Sequence, residues 1–182
     1  PLPTNCVAAW CCAEKDTRGK SNLAVFYGAC SMNCLFCQNW HFKLMSKKLE
    51  PLISSQELFN AVSEDVACVC FFGGDPAPQI LHAIDVARLI IESKKRVRIC
   101  VETNGLENKA LLKKLADYVL ESGGTIKFDL KFYHEELSFA ISGVSNKRAY
   151  ENFEMLAKIA NEAGSEVFLV ASTLLVPLYV DE

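Results

Sequence analysis

Three cysteines share one short segment, Gly28-Ala-Cys30-Ser-Met-Asn-Cys34-Leu-Phe-Cys37-Gln-Asn-Trp40, with the spacing C-x3-C-x2-C. Thiolates this close can hold three corners of an iron–sulfur cubane and leave its fourth iron without a protein ligand. Clusters that only carry electrons are normally held by four cysteines, so an open iron is a place for a substrate or cofactor to coordinate. The segment also fits a second chemistry. His41 lies four residues past Cys37, which gives C-x3-C-x2-C-x3-H and matches a tetrahedral Cys3His zinc site in a structural module. On this loop alone both readings stay open.

Such a loop needs a frame, and the rest of the chain supplies one. With 182 residues, 51% hydrophobic and 23% charged, the composition is that of one ordinary globular domain and excludes a disordered or collagen-like chain. Strand-like and helix-like segments alternate. Leu23–Tyr27 is a β-type run that stops at Gly28, just before the cysteines. Ser54–Ser63 reads as a helix capped by Ser54 or Ser55, and Val66–Phe72 as a buried strand ended by Gly73-Gly74. Ile80, Ile84, Ala87 and Ile91 recur at helical spacing within 79–94. A strand over Val97–Val101, a turn at Asn104-Gly105 and a helix over about Lys109–Leu120 follow. Thr125–Leu130 is the fourth strand, Tyr150–Ala163 a helix closed by Gly164, and Val167–Leu175 the fifth strand.

Strands separated by helices imply right-handed βαβ units and a parallel sheet, and apolar rather than alternating strands imply cover on both faces. No G-x-G-x-x-G follows the first strand, which disfavours a dinucleotide-binding domain. The fold class expected is α/β, a partial parallel (βα)-barrel with its chemistry at the strands' C-terminal ends, because a complete barrel takes about 250 residues. Val180-Asp181-Glu182 resembles the N-cap and first turn of a further helix, so the C-terminal part of the barrel is expected to be missing. Residues 1–22 form an N-terminal cysteine-containing segment and residues 23–182 the truncated core.

Each remaining strand end carries polar residues of its own. The second ends in Phe71-Phe72-Gly73-Gly74-Asp75-Pro76, where bare glycine backbone lets a ligand approach and offers carbonyl acceptors. The third ends in Glu102-Thr103-Asn104-Gly105. The fourth ends in Asp129-Leu130-Lys131, whose acid and base point the same way along an extended chain.

Together these segments resemble the radical S-adenosylmethionine (radical SAM) superfamily. Its cysteine signature, C-x3-C-x-aromatic-C, is met with Phe36 at the aromatic position. The resemblance extends from about Leu23 to Glu182 and is nearest to the glycyl-radical-enzyme activating enzymes, the pyruvate formate-lyase activator among them. Asp129-Leu130-Lys131 matches that subfamily's D-L-K unchanged, Asp75 stands where its G-G-E-P motif has Glu, and Glu102 where its D-T-N-G motif has Asp. Ile141–Asn146 and Tyr150–Asn152 resemble its next loop and helix, and Val176-Pro177 its following strand end.

The resemblance implies a [4Fe-4S] cluster on Cys30, Cys34 and Cys37, whose open iron chelates the methionine end of S-adenosylmethionine. Reductive cleavage then yields a 5′-deoxyadenosyl radical that abstracts hydrogen. It further implies Phe36 beside the adenine, Gly73, Gly74 and Asp75 at the methionine amino end, and Asp129 and Lys131 on the remaining polar groups, with Glu102 and Asn104 nearby. The implied partners are a glycyl-radical enzyme as protein substrate and a reductant such as flavodoxin or ferredoxin. A small-molecule substrate, or a maturation or methylation role, is the alternative within the superfamily.

Other residues invite a simpler reading. Cys6, Cys11 and Cys12 precede the first strand as C-x4-C-C, where an auxiliary cluster competes with idle thiols. Cys68, Cys70 and Cys100 fall within strands and read as small apolar core residues, and His82 and His134 as ordinary ones. Trp40 and His41 read as packing around the cysteine loop. Net charge is −3, from 19 Lys and Arg against 22 Asp and Glu, so a nucleic-acid backbone is not the expected partner. The longest apolar stretch, Val167–Val180, is too short and too broken by Ser172, Thr173 and Pro177 to span a bilayer. Nine cysteines without a secretory signal point to metal or cluster chemistry in a reducing cytoplasm rather than to disulfides.

Overall fold

The apolar, β-branched and aromatic runs form strands where they were expected. A computed structural model describes residues 2–3 and 19–178. Two strands, β3 (Val66–Phe72) and β5 (Thr125–Leu130), coincide with the sequence reading residue for residue. The others are β1 (Leu2–Pro3), β2 (Ser21–Phe26), β4 (Arg98–Thr103) and β6 (Leu169–Thr173). All six belong to one sheet in the order β1-β2-β3-β4-β5-β6; β1 is antiparallel to β2, and β2 to β6 are parallel. A parallel sheet in unbroken sequential order never reverses its winding, so it has no switch point of the doubly wound kind. This is the winding of a barrel left open, and it brings the C-terminal ends of β2 to β6 to one rim.

The helices are α1 (Phe42–Lys48), α2 (Ser55–Asn60), α3 (Ile80–Glu92), α4 (Lys109–Glu121), α5 (Glu135–Ser142) and α6 (Lys147–Ala163). One face of the sheet packs on helices. Val69, Phe71, Ile99, Val101, Ile126 and Phe128 join Ile84, Ala87 and Ile90 of α3, Leu112 and Leu115 of α4 and Leu156 of α6 in one buried cluster. Full burial of each large side chain contributes about 1.5–3 kcal/mol, so this layer fixes the strands that carry the rim. The alternate residues Cys68, Cys70 and Cys100 form a second buried cluster with Phe72, and the Cys68 and Cys100 sulfurs lie 3.0 Å apart. These three are core residues, as their strand positions imply.

Helix ends follow local chemistry. Ser54 caps α2 in a capping box, its side chain accepting from the Glu57 N–H while the Glu57 carboxylate accepts from the Ser54 N–H. Gly164, with φ +62°, closes α6 as its sequence position predicts. Helix α6 starts three residues earlier than expected, and two helices were not foreseen at all, α1 and α5. Cys6, Cys11, Cys12 and the Val180–Glu182 helix start lie outside the described residues. Among the described residues, no helix is long and apolar enough to cross a membrane.

Candidate functional site

The cysteine loop leaves β2 and is held by backbone bonds at two places. At its start, the Tyr27 N–H donates to the Gly73 carbonyl (2.8 Å). Further on, the Asn33 and Leu35 N–H groups donate to the Ser142 and Ile141 carbonyls (2.9 and 3.1 Å). Those two acceptors are available because α5 stops there: Gly143 turns into the left-handed region (φ +80°) and leaves the last carbonyls of the helix without intrahelical partners. Buried Ser138 and Ser142 hold this helix end, donating to the Val144 and Ser138 carbonyls (both 2.7 Å). Phe36 packs on buried Phe132 with ring centroids 6.0 Å apart. The Asn146 amide and the Tyr150 hydroxyl fix the Phe132 carbonyl (2.7 and 3.0 Å).

A cavity of about 290 Å³ opens at the rim, near the lower end of the usual range for small-molecule sites. Cys30, Cys34, Phe36 and Cys37 line it from the loop, and Gly73, Gly74 and Asp75 from the end of β3. Glu102 and Asn104 line it from the end of β4, and Asp129 and Lys131 from the end of β5. All eleven residues singled out in the sequence therefore meet at one place. Met32, Gln38, Asn39, Ser172 and Thr173 also line the cavity and were missed. The last two obey the same strand-end rule and were legible by it.

Both glycines of the turn have positive φ, +67° at Gly73 and +63° at Gly74. A Cβ on Gly73 would strike the Phe26 ring, and one on Gly74 the carbonyl oxygens of Tyr27 and Ala29. The glycine pair thus lets the end of β3 lie against the start of the cysteine loop. The Gly73 carbonyl, expected to be open to a ligand, already accepts from Tyr27.

A ladder of alternating charge runs along the rim. Lys127 Nζ lies 2.8 Å from Glu102 and 3.7 Å from Asp129, and Lys131 Nζ lies 3.1 Å from Asp129. Burial works against the charge of Lys127, but the Glu102 and Asp129 carboxylates outweigh it and hold the ammonium above its ordinary range. Lys131, at the end of the ladder, opposes the upward push of burial on Cys34, as Lys43 does more weakly.

Among the described residues no three His, Cys, Asp or Glu side chains stand close enough to share a single metal ion, so what the three thiols have in common is the cavity they line, room for a centre larger than one ion. Cys30, Cys34 and Cys37 are half-buried and none is in a disulfide. The Cys30 sulfur accepts from the Met32 N–H (3.4 Å) and the Asn104 side-chain amide (3.6 Å). Burial pushes the Cys30 thiol up to about 11, and the Asp75 charge adds to it. A donor set so disposed ionises when a cationic centre binds. His41 is not brought to it. Its ring stacks on Trp40 (centroids 4.0 Å apart), it precedes α1, and it is not among the cavity-lining residues. The fourth ligand of the Cys3His reading is therefore not supplied by His41 in this arrangement.

Behind the cavity lies a buried acid that the sequence did not single out. Glu107 is 1% exposed; its carboxyl makes a short hydrogen bond with the Thr103 hydroxyl, and its Oε2 has no partner. Asp75, also buried, accepts from the Ala77 and Asn104 N–H groups (2.8 and 2.7 Å). Burial raises both carboxyls. The two backbone donors pull Asp75 back, while the Asp75 charge pushes Glu107 further, to about 8. A carboxyl raised on folding stabilises fully below its unfolded value, and that contribution is lost as pH rises through the folded value. The urea midpoint is therefore expected to fall between about pH 5 and about pH 9, and Glu107→Gln to remove most of that slope.

A sequence profile of the radical SAM superfamily matches residues 24–179. Streptococcus suis SuiB bound to the precursor peptide SuiA is similar in fold, with a TM-score of 0.60 at 18% identity over 86% of this chain and 34% of that one. SuiB bound to S-adenosylmethionine gives a TM-score of 0.55 at 16% identity over 88% of this chain and 42% of that one. The chain thus spans between a third and a half of the length of these structures. No curated protein matches it significantly.

Proposed function

From the chain's membership of the radical SAM superfamily, we propose that its rim cavity binds S-adenosylmethionine beside a [4Fe-4S] cluster held by Cys30, Cys34 and Cys37. The observation that carries this reading is the convergence of three half-buried thiols, a bare glycine turn and the Asp129–Lys131 pair on one cavity. A cluster with one iron free of protein ligands supplies, when bound, the electron for reductive cleavage of S-adenosylmethionine and so the means of hydrogen abstraction. The chain's own residues bind and orient. Gly73 and Gly74 present backbone to the methionine amino end, and Asp75 fixes the two loops that form that wall. Phe36, braced on Phe132, offers a ring face to the adenine. Asp129 and Lys131 hold the remaining hydroxyl and carboxylate groups, with Glu102 and Lys127 fixing Asp129 from behind.

The substrate proposed is a glycine Cα–H on a partner glycyl-radical enzyme, on the strength of the unchanged Asp129-Leu130-Lys131 and the Glu102–Gly105 segment. A flavodoxin or ferredoxin in a reducing cytoplasm would supply the electron. The second reading is a peptide substrate, favoured by the likeness in fold to SuiB, which was solved bound to a precursor peptide. After anaerobic reconstitution under strong reductant, the protein is expected to release 5′-deoxyadenosine. A glycyl-radical signal raised on a partner enzyme supports the activase reading; hydrogen abstraction from a peptide in its place supports the other. No 5′-deoxyadenosine from a cluster-loaded protein would remove both.

Lys131→Met tests the cofactor wall. Loss of a charged hydrogen-bond donor costs about 1.5–3 kcal/mol, so affinity for S-adenosylmethionine is expected to fall roughly 10–100-fold. Calorimetric titration of the reconstituted protein measures it. Unchanged affinity would take Lys131 out of the site.

A further inference from the structure

We propose that Glu107 is a positioning residue, held as the neutral acid, whose proton sets the direction of a hydrogen-bond chain through Thr103 and Asp75 to the Asn104 backbone N–H and so holds in place the residue whose side-chain amide donates to the Cys30 sulfur. The inference rests on the reading of Cys30 as a cluster ligand. Its basis is a count of hydrogens. Thr103 Oγ1 accepts from the Gly105 N–H (3.0 Å) and lies 3.3 and 3.4 Å from the two Asp75 oxygens, besides its short contact with Glu107. A hydroxyl has one hydrogen to give and two lone pairs to fill. Were both carboxyls ionised, that single hydrogen would serve one of them, and the other contact would press acceptor against acceptor.

With the proton on Glu107, every contact pairs a donor with an acceptor. Glu107 donates to Thr103, Thr103 donates to Asp75, and Asp75 only accepts, from Thr103, Ala77 and Asn104. The unpartnered Glu107 Oε2 is then a neutral carbonyl oxygen, far cheaper to bury than half of a carboxylate. The far end of the chain is just as determined. Asn104 Oδ1 accepts from the Leu106 N–H (3.1 Å), which orients the amide and leaves Nδ2 to donate to the Cys30 sulfur. The Asn152 amide pins the Gly105 and Glu107 carbonyls from α6 (2.9 and 3.0 Å), so the segment cannot slide to relieve a mismatch.

An N–H aimed at a ligand sulfur favours the reduced, more negative cluster, and hydrogen bonds of this kind are among the determinants of reduction potential. Glu107→Gln keeps a donor facing Thr103, whereas Glu107→Leu removes it. Two measurements test the proposal. Difference infrared spectroscopy of the metal-free protein at neutral pH is expected to show the carbonyl stretch of a protonated carboxylic acid, absent in Glu107→Gln; its absence from the unsubstituted protein overturns the proposal. In the reconstituted protein, the cluster potential of Glu107→Leu is expected to move to a more negative value while Glu107→Gln stays near the original. Equal potentials in the folded Leu variant and the unsubstituted protein also overturn it. Failure of the unsubstituted protein to take up a cluster would instead refute the proposed function, and the infrared result still decides the protonation of Glu107.

Discussion

Cys34→Ala is expected to abolish cluster assembly and, with it, S-adenosylmethionine cleavage. After anaerobic reconstitution the variant should lack the broad visible absorption of an iron–sulfur protein and bind little iron. Losses at outer-shell partners of a metal already cost about 10–100-fold, so removing one of three ligands should take cleavage below about a hundredth of its starting rate. The Met32 thioether lies 3.9 Å from the Cys34 sulfur, and a neutral thioether is no replacement for a thiolate ligand to iron. His41→Ala is the informative companion. With its ring stacked on Trp40, its loss should leave iron uptake unchanged. Loss of bound metal in His41→Ala, from a colourless zinc protein, would restore the Cys3His reading.

The second large effect is on stability. Gly74→Ala places a Cβ against the carbonyl oxygens of Tyr27 and Ala29 at a φ of +63°. The left-handed conformation alone costs a non-glycine residue about 1–2 kcal/mol, and the collision with backbone adds to it, for a total of roughly 3 kcal/mol or more. For a domain of this size the melting temperature should drop by roughly 6–12 °C. Gly143→Ala is the control: its φ is +80°, yet nothing lies within 4 Å of the added carbon, so it should lose only the conformational part. Because the displaced atoms belong to the start of the cysteine loop, Gly74→Ala should also impair cluster uptake. Equal melting temperatures for the two variants would mean that the β3 end does not press on the loop.

Much of this was readable beforehand, for identifiable reasons. Val66–Phe72 and Thr125–Leu130 are apolar runs bounded by turn residues, and a covered parallel strand leaves that trace in a sequence. The rim residues followed from the strand ends, since a parallel barrel delivers them to one mouth. What escaped lacked an apolar period. Helix α1 buries no residue, and α5 buries only Ser138 and Ser142, which no hydrophobic pattern reveals. Glu107 escaped for a different reason. A glutamate just past an Asn-Gly turn looks solvent-facing, and the groups that act on it in the fold, the Asp75 charge from the end of β3 and the Asn152 amide on its carbonyl from α6, are distant in sequence.

The thiols of Cys68, Cys70 and Cys100, sealed on the face of the sheet away from the main helical layer, have a practical consequence. Half-buried loop sulfurs and buried strand sulfurs should meet an alkylating reagent on separate timescales, since the latter become reachable only when the structure opens locally around β3 and β4. Timed labelling with mass readout would therefore turn the chain's own side chains into a clock for opening of the sheet's centre, with no dye or inserted tag.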